Sequence, residues 1–292
     1  MVRTRKARIH LTFGSHADNE KFIRNRDAPL RRTKVVFPEF ISANKNRFNS
    51  SFSKFEENAR RRGVLVRNAE KGSTRAEEIS LENSFRVDKK HEIALKHPSL
   101  RTAVDYFNAL KDSVSFRHML ARKNIIEGTK RGKVEVRYGT AHSVLAAELR
   151  ALGQDVSISM KPFVFSWDYV VLRKLLRNKE PTKLEYKRGL LSLRFSNDEK
   201  FLINLFQKRV MSLSESEMRF WHLLNNVMVG KLTEKEIDGF TKSRSLVVSL
   251  LNHFGLSNPN KVRGRELKKE LVKFLDANSV FWRRQRNIVK LK

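Results

Sequence analysis

The stretch "KVEVRYGTAHSVLAAELRALGQDVSISM", residues 133–160, decides the fold. Its two ends, "KVEVRYG" and "QDVSISM", alternate polar and apolar residues as strands do, whereas "TAHSVLAAELRALG" between them has helical spacing. Thr140 suits the N-cap of that helix and Gly153 suits its end. A strand, a helix and a strand with short connections predict a β-α-β element in the middle of the chain.

The residues before this element predict further strands and helices. "ARIHLTF" alternates like a first strand, and "KVVFPEFI" predicts a short edge strand interrupted by Pro38, because proline cannot donate to a ladder. "NRFNSSFSKFEENARRR" predicts a helix that ends at Gly63. A long helix is expected after Pro98, where Ser99 is a suitable N-cap and apolar residues recur every three or four positions.

The residues after it are expected to be mostly helical. "FSWDYVVLRKLLRNK" predicts a helix, whereas "KLEYKRGLLSLRFS" predicts a hairpin turning near Arg188 and Gly189. Helical patterns then cover 197–212, 215–229, a pair of short helices within Leu232–Leu256, and 263–290.

These patterns predict an α+β fold, in which a mixed α/β N-terminal and central body is followed by a helical C-terminal third. We divide the chain by composition and pattern into four regions. They are a basic N-terminal region (1–67), a polar linker (68–84), a mixed α/β body (85–196) and a helical basic region (197–292).

Charge is the dominant feature of the composition. The 292 residues include 61 Lys and Arg against 31 Asp and Glu, a formal net charge of +30. In a compact chain so many positive charges repel one another, so this composition predicts a polyanionic partner. Phosphate backbones of nucleic acids are the most common polyanions. No apolar run approaches the roughly 18 residues that a membrane-spanning helix needs. The basic residues are also dispersed, unlike a juxtamembrane cluster, which favours nucleic acid over a membrane surface.

The absence of cysteine excludes disulfides, thiolate zinc sites and cysteine nucleophiles, and indicates a reducing or virion-like setting. The N-terminus "MVRTRKARIHLTFGSHA" contains no acidic residue before Asp18. It fits a mitochondrial presequence or a basic arm that leads into the first strand, and the pattern leaves both open.

No catalytic motif is complete. "GTKRGKV" lacks the glycine spacing and the Ser or Thr of a phosphate-binding loop. Glu135, Val136 and Arg137, with Asp105 upstream, approach the acidic and Glu-x-Lys residues of a metal-dependent nuclease, but arginine cannot exchange a proton as lysine does. The eight histidines form no HxxxH or HExxH pair, and no serine lies in G-x-S-x-G. We therefore expect no enzymatic activity, no cofactor and no metal.

Basic residues at two helix ends are candidate phosphate contacts. Arg60, Arg61 and Arg62 end the helix before Gly63, where capping of the helix dipole is an equal explanation. In "SVFWRRQRNIVKLK" two aromatic residues, Phe281 and Trp282, precede a basic tail. Aromatic faces stack on unpaired bases, although closure of the last helix against the core explains these two better. The candidate contacts in the tail are Arg283, Arg284, Arg286, Lys290 and Lys292.

The helix pair within Leu232–Leu256 is compatible with a helix-turn-helix that reads DNA. Lys242 and Arg244 would then face the major groove from the start of the second helix. The tight turn departs from that pattern, because Thr241 and Lys242 stand where a glycine and an apolar residue are expected. Helical hairpins of this spacing are abundant, so we favour a core role for the pair.

Dispersed basic residues suit a surface that meets a folded or wrapped phosphate backbone. The sequence therefore predicts a non-enzymatic, RNA-binding structural protein of a ribonucleoprotein, either ribosome-associated or nucleocapsid-like. Such a protein would act with other proteins inside the cell, in cytoplasm or mitochondrion, or in a virion. The alternative is a helix-turn-helix DNA-binding regulator or replication protein.

Overall fold

The computed structural model describes residues 8–14, 32–38, 45–160, 165–207, 215–258, 261–262 and 264–285. The strands are β1 (Ile9–Gly14), β2 (Thr33–Phe37), β3 (Leu65–Val66), β4 (Lys133–Gly139) and β5 (Val156–Met160). The helices are α1 (Lys45–Arg61), α2 (Thr74–Lys96), α3 (Leu100–Thr129), a 3-10 helix (Thr140–Val144), α4 (Leu145–Ala151), α5 (Trp167–Leu176), α6 (Lys183–Ser196), α7 (Glu199–Phe206), α8 (Glu215–Lys231), α9 (Glu234–Thr241), α10 (Leu246–His253), α11 (Gly264–Asn278) and α12 (Val280–Gln285).

The chain divides into two compact units, each built from two stretches of sequence. The sheet unit comprises Met1–Ser84 and Asp112–Phe163, and the helical unit comprises Phe85–Lys111 and Val164–Lys292. All five described strands belong to the sheet unit, and α5 to α12 belong to the helical unit. This confirms the expected α+β class with a helical C-terminal third.

The sheet is parallel throughout, with the strand order β3-β2-β4-β1-β5. The expected strands around the central β-α-β element are confirmed, but β4 and β5 are not neighbours, because β1 pairs with both of them. The prediction that "KVVFPEFI" forms an edge strand is wrong, since β2 lies between β3 and β4. Pro38 follows the last residue of β2, so its missing N–H does not interrupt the ladder.

The two faces of the sheet differ because side chains alternate along a strand. One face is apolar and packs on α3 and α4 through buried residues that include Ile9, Leu11, Val134, Ile125 and Leu149. Positions facing the other way are polar in the middle of the sheet, where His10 on β1 pairs in register with Glu135 on β4 and with Ser157 on β5. On β2 this second face is apolar, because Val36 packs with Phe55 and Ala59 of α1.

Residues 68–84, which are predicted to form a polar linker, contain the first half of α2. The helix begins at Thr74, where the Ser73 hydroxyl accepts a hydrogen bond from the amide of Ala76 at 3.3 Å. The linker interpretation overlooked this cap and the acidic Glu77 of the first turn, which also suits a helix start.

The predicted hairpin at Arg188 and Gly189 is wrong, because "KLEYKRGLLSLRFS" is the helix α6. Thr182 starts it with a capping box, in which the side chains of Thr182 and Glu185 each accept from the backbone amide of the other residue. Leu190, Leu191 and Leu193 are all buried, so this helix lacks the polar face that would have revealed its period.

The last predicted helix, 263–290, is interrupted. Ser279 separates α11 from α12, and its hydroxyl accepts from the amide of Trp282 at 3.1 Å, as an N-cap does. Leu267, Leu271 and Leu275 of α11 are buried, as the spacing predicted. Trp282 is also buried, with 1% of its surface exposed, whereas Phe281 is 38% exposed.

Candidate functional site

Five basic residues lie at the amino ends of three neighbouring strands. Because the strands are parallel, these ends share one edge of the sheet, which we call the basic edge. Val134 of β4 pairs with Ile9 of β1, and the amide of Val134 donates to the carbonyl of Arg8 at 2.7 Å. Lys133 of β4 in turn pairs with Thr33 of β2. The basic edge consists of Arg8, Arg32, Lys34, Arg131 and Lys133.

The basic edge faces solvent. Arg8, Arg32, Lys34 and Arg131 are exposed, and Lys133 is half-buried. Neighbouring strands are roughly 4.8 Å apart, so these side chains form one concentrated cationic surface. The residues of the basic edge come from three separate segments of the sequence, so no local motif predicts that they lie together. The available signal was that each basic residue stands at the start of a strand.

One acidic side chain nearby, Glu127, experiences this positive field. Nζ of Lys130 lies 2.6 Å from Oε2 of Glu127. That hydrogen bond is the largest cause of the lowered pKa of Glu127, and the charges of Arg67 and Arg131 lower it further. The local charge therefore favours anions.

Arg60, Arg61 and Arg62 belong to the sheet unit, and all three are exposed at the end of α1. Nη2 of Arg61 lies 2.6 Å from Oε1 of Glu57 one turn earlier, so a phosphate would compete with that carboxylate for Arg61. The helix ends at Arg61, and Gly63, two residues later, has a φ of 69°. Both explanations offered for this triplet, capping and phosphate contact, fit these positions.

Lys242, Arg244 and Arg283 belong to the helical unit, and their side chains are exposed. The structure thus distributes the candidate contacts over both units. The Arg284 side chain, Arg286, Lys290 and Lys292 lie outside the described residues.

The α9–α10 pair is fixed to the core of the helical unit. Leu246, Val247, Leu250 and Leu251 of α10 are buried. Arg194 of α6 holds the turn between the two helices, where its guanidinium donates to the carbonyls of Thr241 and Ser243, the latter at 2.6 Å. The exposed positions of α10 itself are Asn252 and His253 at its end, and the exposed candidates Lys242 and Arg244 lie in the turn before it. These contacts favour the core role of the pair.

A second basic surface lies along α11. Arg265, Lys269 and Lys273 are exposed and recur every four residues, on the face opposite the buried leucines. One helical turn rises about 5.4 Å, so the three charges form a line that we call the basic stripe. Their spacing followed from the sequence, but they were not counted among the candidate contacts.

The nuclease-like residues each have an ionic partner within their own unit. Glu135 is fully buried on β4, and its Oε1 lies 2.8 Å from Nη2 of Arg137 on the same strand. Asp105 belongs to the helical unit, where its carboxylate pairs with Lys90 at 3.0 Å.

The carboxyl end of β4 carries a different kind of site. Nδ1 of His118 on α3 lies 3.0 Å from Oε1 of Glu148 on α4, and Nε2 of His118 lies 2.9 Å from Nδ1 of His142 in the 3-10 helix. We call these three side chains the histidine relay. His118 and His142 are 1% and 4% exposed. The three residues come from three separate elements, so no contiguous sequence motif predicts that they meet.

The charge of Glu148 is maintained within the relay. Burial alone would raise the pKa of Glu148, but the hydrogen bond with His118 and the charges of His118 and Arg122 outweigh it, and the pKa is lowered. Nη1 of Arg122 lies 3.5 Å from Oε2 of Glu148. The Tyr138 ring, which is also buried, covers His142 at 4.8 Å between ring centroids.

Comparison with protein-family models, with curated proteins and with solved structures gives no match for this chain. Across the ranges that the structure describes, none of the helices combines the length and the apolar character needed to cross a membrane. The same ranges contain no group of three or more carboxylate or imidazole side chains arranged to hold a metal ion.

Proposed function

We propose that this chain binds the phosphate backbone of nucleic acid, preferentially RNA, as a structural component of a ribonucleoprotein. The single observation that carries the proposal is the basic edge, where three neighbouring strands present five cations at one surface. Each phosphate that a Lys or Arg neutralises releases condensed counterions, which favours binding. The net charge of +30 supplies the long-range attraction.

RNA is favoured because basic surfaces occur on both units rather than on one reading module. The basic stripe and the exposed Lys242, Arg244 and Arg283 belong to the helical unit, whereas the basic edge and Arg60–Arg62 belong to the sheet unit. A folded RNA offers phosphates in many directions and is recognised largely by shape. A ribosome-associated or nucleocapsid-like particle, in cytoplasm, mitochondrion or virion, is the corresponding setting. Backbone binding needs no chemical step, so bound RNA should remain intact.

The test uses the full chain and the salt dependence of binding to a labelled single-stranded RNA. The edge variant is Arg8→Gln, Lys34→Gln and Arg131→Gln combined. The control variant is Lys89→Gln, Arg101→Gln and Lys123→Gln combined, which removes the same charge at exposed positions elsewhere. Each lost contact to a single strand should reduce the slope of log affinity against log salt by about 0.7, so the edge variant should lose about 2.

The control variant should keep nearly the wild-type slope. Equal slopes for the two variants would remove the basic edge from the proposal, and a wild-type slope near zero would contradict nucleic-acid binding altogether. Competition by DNA of the same sequence tests the preference for RNA.

A further inference from the structure

Two adjacent aromatic residues in α12 have different surroundings. Trp282 belongs to the hydrophobic core of the helical unit and is 1% exposed, whereas Phe281 is not part of that core and is 38% exposed. Successive residues of a helix are about 100° apart around its axis, so burial of one leaves its neighbour beside the buried face. Closure of the last helix against the core therefore explains Trp282, while Phe281 presents part of an aromatic ring to solvent.

The backbone that carries Phe281 is held on both sides. The Ser279 hydroxyl accepts from the amide of Trp282 at 3.1 Å, and the Ser279 carbonyl accepts from the amide of Arg283 at 3.2 Å. The indole N–H of Trp282 also donates to Oδ1 of Asp276 at 2.9 Å. Because this segment is ordered before any ligand arrives, binding at Phe281 costs little further conformational entropy.

Exposed cations lie on both sides of Phe281 along the chain. The basic stripe on α11 extends over about 12 Å, at a rise of 1.5 Å per residue. Ala277, four residues after Lys273, continues the repeat of exposed positions, so this face of α11 reaches the end of the helix next to α12. Arg283 is exposed on α12 itself. The aromatic ring thus follows a line of positive charge.

The acidic residues of α11 have their own roles. Both carboxylate oxygens of Glu270 accept from Ser257, one from its hydroxyl at 2.7 Å and one from its amide at 2.9 Å. These hydrogen bonds are the main reason that the pKa of Glu270 is lowered. Asp276 accepts from Trp282, and Glu266 lies in the first turn, where the helix dipole stabilises a carboxylate. The stripe therefore remains a cationic surface.

A line of cations with an exposed aromatic ring suits single-stranded nucleic acid, because the cations contact phosphates while an unpaired base stacks on the ring. We propose that the basic stripe and Phe281 bind a single-stranded segment of RNA, with one unpaired base stacked on Phe281. This inference rests on the proposed binding of nucleic acid, and it adds the single-stranded form and a contact to a base. Bases within a duplex stack on one another, so a paired region offers no base face to Phe281.

The experiment uses the full chain and two short labelled strands of equal length, oligoadenylate and a strand of abasic ribose phosphates. Both strands offer the same phosphates, but only oligoadenylate offers bases, so the wild type should bind oligoadenylate more tightly. Phe281→Ala should lower the affinity for oligoadenylate about 5–150-fold, as expected for the loss of one stacked base, and leave the affinity for the abasic strand unchanged. Phe281→Trp should keep the preference, because an indole ring also stacks, whereas Phe281→Leu should lose most of it.

Two further variants separate stacking from charge. Phe85→Ala is the matched control, because Phe85 is a phenylalanine of the same unit on another helix and is 64% exposed. It should keep the wild-type affinities for both strands. Lys269→Gln combined with Lys273→Gln should reduce the slope of log affinity against log salt by about 1.4 for both strands, at about 0.7 for each lost contact, and leave the preference for bases. An unchanged slope would remove the stripe from the proposal.

The outcomes distinguish this inference from the proposed function. Equal binding of the two strands by the wild type, or the same preference in the wild type and Phe281→Ala, would overturn base stacking and leave backbone binding intact. Equal weakening of both strands by Phe281→Ala would overturn it too, because the ring would then support the basic surface rather than a base. Binding of neither strand would contradict the proposed function itself. Urea unfolding checks each variant, and Phe281→Leu keeps the test decisive if Phe281→Ala does not fold.

Discussion

Arg117 and Glu70 form a two-point ion pair between α3 and the loop that precedes α2. Nε and Nη2 of Arg117 donate to the two carboxylate oxygens of Glu70 at 2.8 and 2.9 Å. The side chains are only 29% and 21% exposed, so water screens this pair less than a surface pair. The planar fork of arginine matches a carboxylate in a way that lysine cannot.

We therefore expect Arg117→Lys to reduce the free energy of unfolding by about 1–2 kcal/mol. Arg75→Lys is the comparison, because Arg75 and Glu78 form an ion pair with side chains 72% and 54% exposed, and such pairs contribute about 0–1 kcal/mol. Urea unfolding measures both. Equal effects would show that burial of the Arg117–Glu70 pair does not matter.

Alanine substitutions at two helical glycines should have opposite effects on the stability of the fold. A Cβ at Gly189 of α6 would lie 2.9 Å from both Phe107 and Val171, whereas a Cβ at Gly239 of α9 would meet nothing within 4 Å. Gly189→Ala should lower the free energy of unfolding by about 1–3 kcal/mol, because the added methyl group overpacks the core. Gly239→Ala should raise the free energy of unfolding by about 0.5–1 kcal/mol, because alanine has the higher helix propensity. Thermal unfolding of the two variants gives the signs, and the same sign for both would contradict the packing described for α6.

Two adjacent aromatic residues, Phe281 and Trp282, should contribute very differently to the free energy of unfolding. Trp282 is buried against Phe220, with ring centroids 5.6 Å apart, and its indole N–H donates to Asp276 at 2.9 Å. Trp282→Ala should cost about 3–5 kcal/mol of unfolding free energy. Phe281→Ala should cost about 1 kcal/mol or less, because Phe281 is 38% exposed. If Phe281→Ala impaired RNA binding without affecting unfolding, base stacking by Phe281 would be indicated instead.

Arg244→Ala separates RNA backbone binding from DNA base reading. Arg244 is exposed in the turn before α10. If Arg244 contacts phosphates, the substitution should slightly weaken binding to every nucleic acid and reduce the slope of log affinity against log salt by roughly 1 or less. If it reads a base, the loss of about 1–3 kcal/mol should be confined to one duplex sequence. Selection of one duplex motif from a random DNA pool would establish the helix-turn-helix alternative.

Acid should destabilise the chain partly through His91. Burial is the main reason that the pKa of His91 is lowered from 6.5, and the charge of Asp88 opposes it only in part. The unfolded chain therefore binds a proton at His91 more readily than the folded chain does. The stability that neutral His91 contributes is fully present above pH 6.5, and it is lost as the pH falls through the lower pKa of His91 in the folded chain. His91→Gln should therefore lose less stability than wild type between neutral and mildly acidic pH. His97→Gln, at an exposed histidine, should retain the wild-type dependence.

Local patterns in the sequence predicted the individual strands and helices better than they predicted which strands lie side by side in the sheet. The strands β4 and β5 and the helix between them followed from alternation and helical spacing within 133–160. The insertion of β1 between them did not, because strand order depends on contacts distant along the chain. The hairpin error in α6 has a local cause, since leucines buried around the helix hide its period.

The candidate sites were missed for a similar reason. His118 and His142 are 24 residues apart and lie on different elements, so no spacing rule relates them. The basic edge gathers Arg8, Arg32 and Arg131 from strand starts that only the sheet order brings together. Exposed basic residues within single segments, such as Arg60–Arg62, were visible from the start because neighbours in sequence stay neighbours on a helix end.

The position of β1 inside the sheet has a consequence for synthesis of the chain. β1 is made first, yet its partners are β4 and β5, and His10 meets Ser157 across 147 residues. At translation rates of about 5–20 residues per second, β1 waits on the order of 10 seconds or more for a partner. During that time Ile9, Leu11 and Phe13 have no sheet to pack in, which exposes an apolar strand to chaperones and to premature pairing with other chains. The sheet order thus leaves β1 unpaired during most of the synthesis of the sheet unit.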